Sequence, residues 1–165
     1  MENHILRNHR LRLTIFALLV LAVMVIIFFM SARTGDESAK MSSKFAQGFL
    51  GQLLSRLLPQ LTDNVITSIR KYAHIFEFFC LGISSFLFFY ELLWKKSRRL
   101  FLASVYAALW SFLYACSDEW HQTFVPERAG RLSDLRFDSA GFLCGIVLCA
   151  LIAAGIKKIR NDAST

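Results

Sequence analysis

Between Ser117 and Asp138 the chain sets five carboxylates, three arginines, a histidine and a glutamine between two apolar runs. The residues are Asp118, Glu119, His121, Gln122, Glu127, Arg128, Arg131, Asp134, Arg136 and Asp138. A second group, Lys71, His74 and Glu77, is spaced i, i+3, i+6 and so shares one broad helical face. Ionisable groups beside a bilayer are expensive to hold there and mark a functional site by default. Imidazole and carboxyl groups at a low-dielectric boundary suit proton transfer, which makes His74, Glu77 and Glu119 candidate acid–base residues. Arginine presents a planar fork that matches a carboxylate or a phosphate. The candidate ligand contacts are Lys71, His74, Glu77, Asp118, Glu119, Gln122, Arg128, Arg131, Asp134 and Asp138.

Each group also has a plainer reading. His74 and Glu77 serve equally as an interhelical hydrogen-bonded pair, or snorkel to the interface. Asp118, Glu119 and Gln122, at i, i+3 and i+4 spacings on a continuing helix, also fit a solvated helix end. Arg128 and Arg131 can pair with Asp134, Asp138, Glu77 or Glu119 instead of a ligand. His121 is expected to be exposed. In Val125–Arg131, Pro126 presets one backbone angle of a tight turn and Gly130 is expected to relieve a later one.

The elements that must position these residues are membrane spans. The chain has 165 residues, 55% hydrophobic and only 19% charged, with 16 Phe. The apolar residues cluster into runs at about 13–30, 75–94, 100–116 and 139–156, each near spanning length. The expected fold is an all-α membrane protein, one domain over residues 1–165 with four transmembrane helices. Leu13–Met30 is too long for the apolar core of a signal peptide and lacks a small-residue cleavage site, so a retained helix is expected.

The net charge of +7 is a topology signal. Arg7, Arg10 and Arg12, then Lys95, Lys96, Arg98 and Arg99, then Lys157, Lys158 and Arg160 flank the spans on one side. These ten bases face three acids, whereas the other side holds nine of each. The positive-inside rule puts both termini in the cytoplasm and residues 31–74 and 117–138 outside. Nucleic acid is not an expected partner. Cys80, Cys116, Cys144 and Cys149 fall in the spans without a C-x-x-C pair, so neither zinc nor redox chemistry is indicated. Nothing in the sequence calls for a cofactor.

On the outer side, Phe45, Phe49, Leu53 and Leu57 repeat every four residues, with Ala46, Leu50, Leu54 and Leu58 beside them. This predicts an amphipathic helix over about 42–58, ended by Pro59. It lies flat in the interface or packs on the bundle as a lid. Thr62 and Asp63 offer the N-cap of the helix entering the second span. The fourth span opens at Ser133 or Asp134. Gly141 and Gly145 continue the face of Asp134 and Asp138 as a small-xxx-small motif, which turns Asp138 toward the bundle.

Arg70, Lys71, Ala73, His74, Glu77 and Phe78 match an R-K-x-A-H-x-x-E-[YF] segment. Asp118, Glu119, His121, Gln122, Phe124, Val125, Pro126, Arg128, Gly130, Asp134, Asp138 and Gly141 match D-E-x-H-Q-x-F-V-P-G-R-x-G-x-x-x-D-[VL]-x-x-D-x-x-G. Ser31, Gly35 and Ser38 fit a looser serine/glycine element. Together, over about residues 13–156, the chain resembles the VanZ-like membrane proteins. One departure is Glu127, where the family has glycine. The resemblance implies a small four-helix protein of the bacterial cytoplasmic membrane. The founding member is associated with resistance to the glycopeptide antibiotic teicoplanin, and that link is part of what the resemblance raises.

Three functional expectations follow. The first is a cell-envelope protein whose outer polar site binds an anionic lipid-linked, cell-wall or glycopeptide ligand through Lys71, Arg128 and Arg131. The alternative is an intramembrane enzyme, with His74 as base and Glu77 or Glu119 orienting it or acting as acid. In the third, the charges only lock the bundle together. The partners expected are the lipid bilayer and a lipid-linked precursor or glycopeptide.

Overall fold

A computed structural model describes residues 2–48, 52, 53, 56, 65–128, 130 and 134–163. It contains the helices α1 (Glu2–Ser31), α2 (Gly35–Gln47), α3 (Val65–Leu92), α4 (Arg99–Gln122) and α5 (Leu135–Asp162). Four of these are long and apolar enough to cross a membrane: Ile5–Ser31, Lys71–Leu92, Arg99–Gln122 and Leu135–Asp162. They carry exposed Leu18, Phe29, Phe76, Phe101, Leu113 and Leu151 on their outer surfaces, as a bundle facing lipid does. The spans reach beyond the apolar runs because the polar motifs lie on the helix ends, with Asp118, Glu119 and Gln122 completing the last turns of α4.

The most extensive packing joins α3 to α5. A Cβ on Gly82 would come within 2.2 Å of Phe142 O, one on Gly141 within 2.4 Å of Ile75 O, and one on Gly145 within 2.4 Å of Phe79 O. Only glycine permits this backbone approach, and Gly141 and Gly145 are the expected small-xxx-small pair. On α4 the same role falls to Ala103, Ala107, Ser111 and Ala115, all fully buried at every fourth position. That stripe runs on into Asp118, Glu119 and Gln122, which is why these polar groups point inward. Phe78, Leu81, Phe86, Ile27, Phe142 and Ile146 fill the space between the helices.

The bundle is tied at the end opposite the polar motifs by one carboxylate. Glu91 accepts from Arg12 Nε at 3.0 Å and from Arg99 at 3.4 Å, while His9 Nε2 reaches its backbone O at 3.1 Å. Arg99 also bonds Tyr90 O and stacks over the Tyr90 ring at 3.6 Å. This carboxylate therefore joins α1, α3 and the start of α4.

A short helix, α2, precedes most of the apolar repeat predicted over 42–58. Thr34 Oγ1 accepts from Glu37 N at 3.3 Å, and Glu37 Oε2 accepts from Thr34 N at 3.2 Å. This reciprocal capping box starts α2 at Gly35. Ser38 and Ser42 are buried on it. Most of the predicted stretch beyond Gln47, and the Thr62–Asp63 cap, lie outside the described residues.

Gly145→Leu should force α3 and α5 apart. We expect a loss of at least about 1–3 kcal/mol, read as a lower thermal midpoint in detergent, while Gly155→Leu, which meets no atom within 4 Å, should melt like the wild type.

Candidate functional site

At the end of the bundle away from Glu91, α1, α3, α4, α5 and the α4–α5 loop bring their polar groups together. Asp118 is 4% exposed and takes two hydrogen bonds on one oxygen: Ser31 donates to Oδ2 at 2.9 Å and Gln122 Nε2 at 2.8 Å. Gln122 Nε2 also lies 3.2 Å from Ser31 Oγ, closing a triangle between α1 and α4. A carboxylate left in such a place without donors would be costly, so this triangle is what makes its burial tolerable.

On the other side of the site, α3 faces α5. His74 Nδ1 lies 3.7 Å from Asp138 Oδ1 and 3.9 Å from Glu77 Oε2. Asp138 is 1% exposed, and its Oδ2 has no hydrogen-bond partner among the described residues. The two halves are electrically one site: Glu77 feels the charges of Asp118 and Arg128, and Asp138 those of Glu119, Asp118, Asp134 and Glu77. Glu119 is itself buried, on the inward face of α4. Among the described residues no three His, Cys, Asp or Glu side chains converge closely enough to hold a metal ion.

The α4–α5 loop closes over this end. Arg128 donates to Met30 O at 3.2 Å, satisfying a carbonyl of the last turn of α1 with a positive charge where the helix dipole favours one. Val125 anchors the loop in the core. Glu127 has φ 60°, a left-handed conformation that disfavours a side chain by about 1–2 kcal/mol. This strain explains the glycine of the motif at that position. Glu127 offsets it with a contact glycine cannot make, since its Oε2 accepts from Asp36 N at 3.0 Å while Pro126 O accepts from Gly35 N at 3.3 Å. The loop thereby caps the N-terminus of α2. Gly130 does not relieve a dihedral as expected, because no described glycine has a positive φ. It is small because a Cβ there would come within 2.2 Å of Glu119 O.

Of the residues singled out from sequence, His74, Glu77, Asp118, Glu119, Gln122, Arg128 and Asp138 gather at this end, with Asp134 at the cap of α5. Lys71 is exposed, its Nζ 5.2 Å from the centre of the Phe137 ring at the rim. Arg131 lies outside the described residues. His121 is half-buried rather than exposed, because its ring stacks on Phe28 with centroids 4.7 Å apart. Ser31 was not singled out as a site residue, although its place in the Ser31–Gly35–Ser38 element was the available signal.

The family model described as VanZ/LLP1 matches residues 16–153, from the middle of α1 to near the end of α5. No curated protein and no solved structure matches the chain.

Two outcomes test this geometry. Ser31→Ala removes a donor from Asp118 and should lower stability by about 1–3 kcal/mol in chemical denaturation. Glu127→Ala keeps the strained backbone and loses the cap, whereas Glu127→Gly loses only the cap. The glycine variant should therefore melt above the alanine variant, by about 1 kcal/mol in stability.

Proposed function

The chain belongs to the VanZ/LLP1 family, and from that premise we propose that it is a cell-envelope membrane protein whose polar site binds the headgroup of a lipid-linked cell-wall or glycopeptide ligand. The observation that carries this reading is Asp138 Oδ2, a buried carboxylate oxygen with no donor among the described residues, in a site with four further carboxylates. A buried acceptor of this kind calls for a donor, and a ligand can supply one.

The charge balance refines the ligand class. An anionic ligand was expected on the strength of Lys71, Arg128 and Arg131. Lys71 sits at the exposed rim, and Arg128 is tied to α1. Glu77, Asp118, Glu119 and Asp138 face one arginine and one histidine, so the described site favours a headgroup rich in hydroxyl or ammonium donors. The sugar and peptide parts of a lipid-linked precursor bring both. The basic clusters at the opposite end support an outer-face position for the site. A contribution to glycopeptide resistance, by holding a precursor or the drug itself, belongs to the same reading.

The approach of His74 to Asp138 and Glu77 favours a second reading, acid–base catalysis on such a ligand. Here His74 takes a proton from a ligand hydroxyl or from water while Asp138 orients the ring.

Purified protein in nanodiscs should retain a polyprenyl-diphosphate-linked disaccharide peptide. Asp138→Asn, melting within a few degrees of wild type, should weaken retention at least about tenfold, the loss of one buried charge-assisted hydrogen bond. Equal retention by the folded variant would remove the basis of the binding reading. Conversion of the precursor by wild type and not by His74→Gln, seen by mass spectrometry, would establish the catalytic one.

A further inference from the structure

A groove of about 350 Å³ lies between α1 and α4, which touch only sparsely. Asp118, Ser117 and His121 supply its polar lining, and Phe28, Tyr114, Trp120 and Phe124 its walls. Among the described residues no lysine or arginine lines it. Asp118 reaches it from the polar site, and both of its donors, Ser31 and Gln122, use Oδ2. Oδ1 receives no hydrogen bond among the described residues. His121 adds a second unused atom, since its Nε2 is buried without a hydrogen-bond partner among the described residues. At the mouth, Trp120 and Phe124 are 67% and 69% exposed, with their rings 5.4 Å apart at 88°.

A carboxylate oxygen at the base and two aromatic rings at right angles at the mouth, with no lysine or arginine among the described lining residues, form a receptor for an ammonium group. The rings attract the cation through their faces, and Oδ1 accepts one of its N–H bonds. The volume is at the small end for ligand pockets and suits a headgroup rather than a whole glycolipid. Its walls belong to two helices long and apolar enough to span a membrane, so the occupant nearest to hand is a component of the bilayer. We propose that it holds the primary ammonium of an ethanolamine-type phospholipid headgroup taken from the surrounding membrane.

This proposal shares one residue, Asp118, with the precursor-binding reading. The full-length protein is reconstituted in vesicles of equimolar phosphatidylethanolamine and phosphatidylglycerol, and the lipid it retains is counted by native mass spectrometry. Wild type should keep the ethanolamine lipid about tenfold over the glycerol lipid. Trp120→Ala, at an exposed position, should bring the ratio close to one, and so should Asp118→Asn. Equal retention by wild type overturns the proposal. So does a Trp120→Ala protein that loses both lipids in equal measure, because Trp120 would then be a general interfacial anchor. An ethanolamine preference without retention of the precursor would leave the groove standing and remove the precursor reading; the reverse result would do the opposite.

Discussion

The contact on which the rest of the structure depends is the close approach of α3 to α5. Gly82, Gly141 and Gly145 allow the two backbones to meet where any side chain would intrude. In lipid, where hydrophobic burial gives helices little reason to associate, such packing is a main source of cohesion. It also sets the chemistry. Asp138 stands one turn before Gly141, so the contact that joins the helices delivers its carboxyl group to His74 and Glu77. Position and cohesion are the same fact here, and a site residue on α5 cannot shift without opening the interface beneath it.

The arrangement of α4 follows a similar logic. Its inward face is alanine and serine for four consecutive turns, then acid, acid and amide for the last two. The small residues let α4 pack closely on α3 and α5, and its last turns carry Asp118 to Ser31 on α1. Of the two halves of the site, α3 with α5 rests on closely approaching backbones, whereas α1 and α4 touch sparsely and are joined by the Ser31–Asp118–Gln122 triangle. The halves meet through the field of the carboxylates, and the α4–α5 loop spans both by placing Arg128 on the end of α1.

Much of this was legible in the sequence. The four apolar runs gave the spans, the Gly141–Gly145 pair gave the inward direction of Asp138, and the two polar motifs gave seven of the residues that gather at the site. Other features were present but read too weakly. The Ala103–Ala107–Ser111–Ala115 stripe follows a simple spacing, yet alanines in an apolar run look like filler until a neighbouring helix is seen against them. The Thr34–Glu37 capping box, which starts α2 at Gly35, was hidden by the stronger aromatic repeat downstream. Glu91 counted only as one acid among cytoplasmic bases, because nothing in spacing shows that Arg12 and Arg99, far apart in the chain, reach the same carboxylate. The left-handed backbone at Glu127 was legible only as a missing glycine. His121 was misjudged because its partner, Phe28, lies on another helix.

The Glu91 cluster has a mechanical meaning as well. It rivets three helices at one end of the bundle through a single carboxylate, two guanidinium groups and an imidazole. At the other end α1 is joined to its neighbours by Ser31, by the carbonyl that Arg128 caps, and by the Tyr114 hydroxyl on Met24 O. The two ends therefore fail differently: one substitution at Glu91 removes the tie among three helices at once, whereas α1 keeps two of its three ties toward the polar end when any one of them is removed.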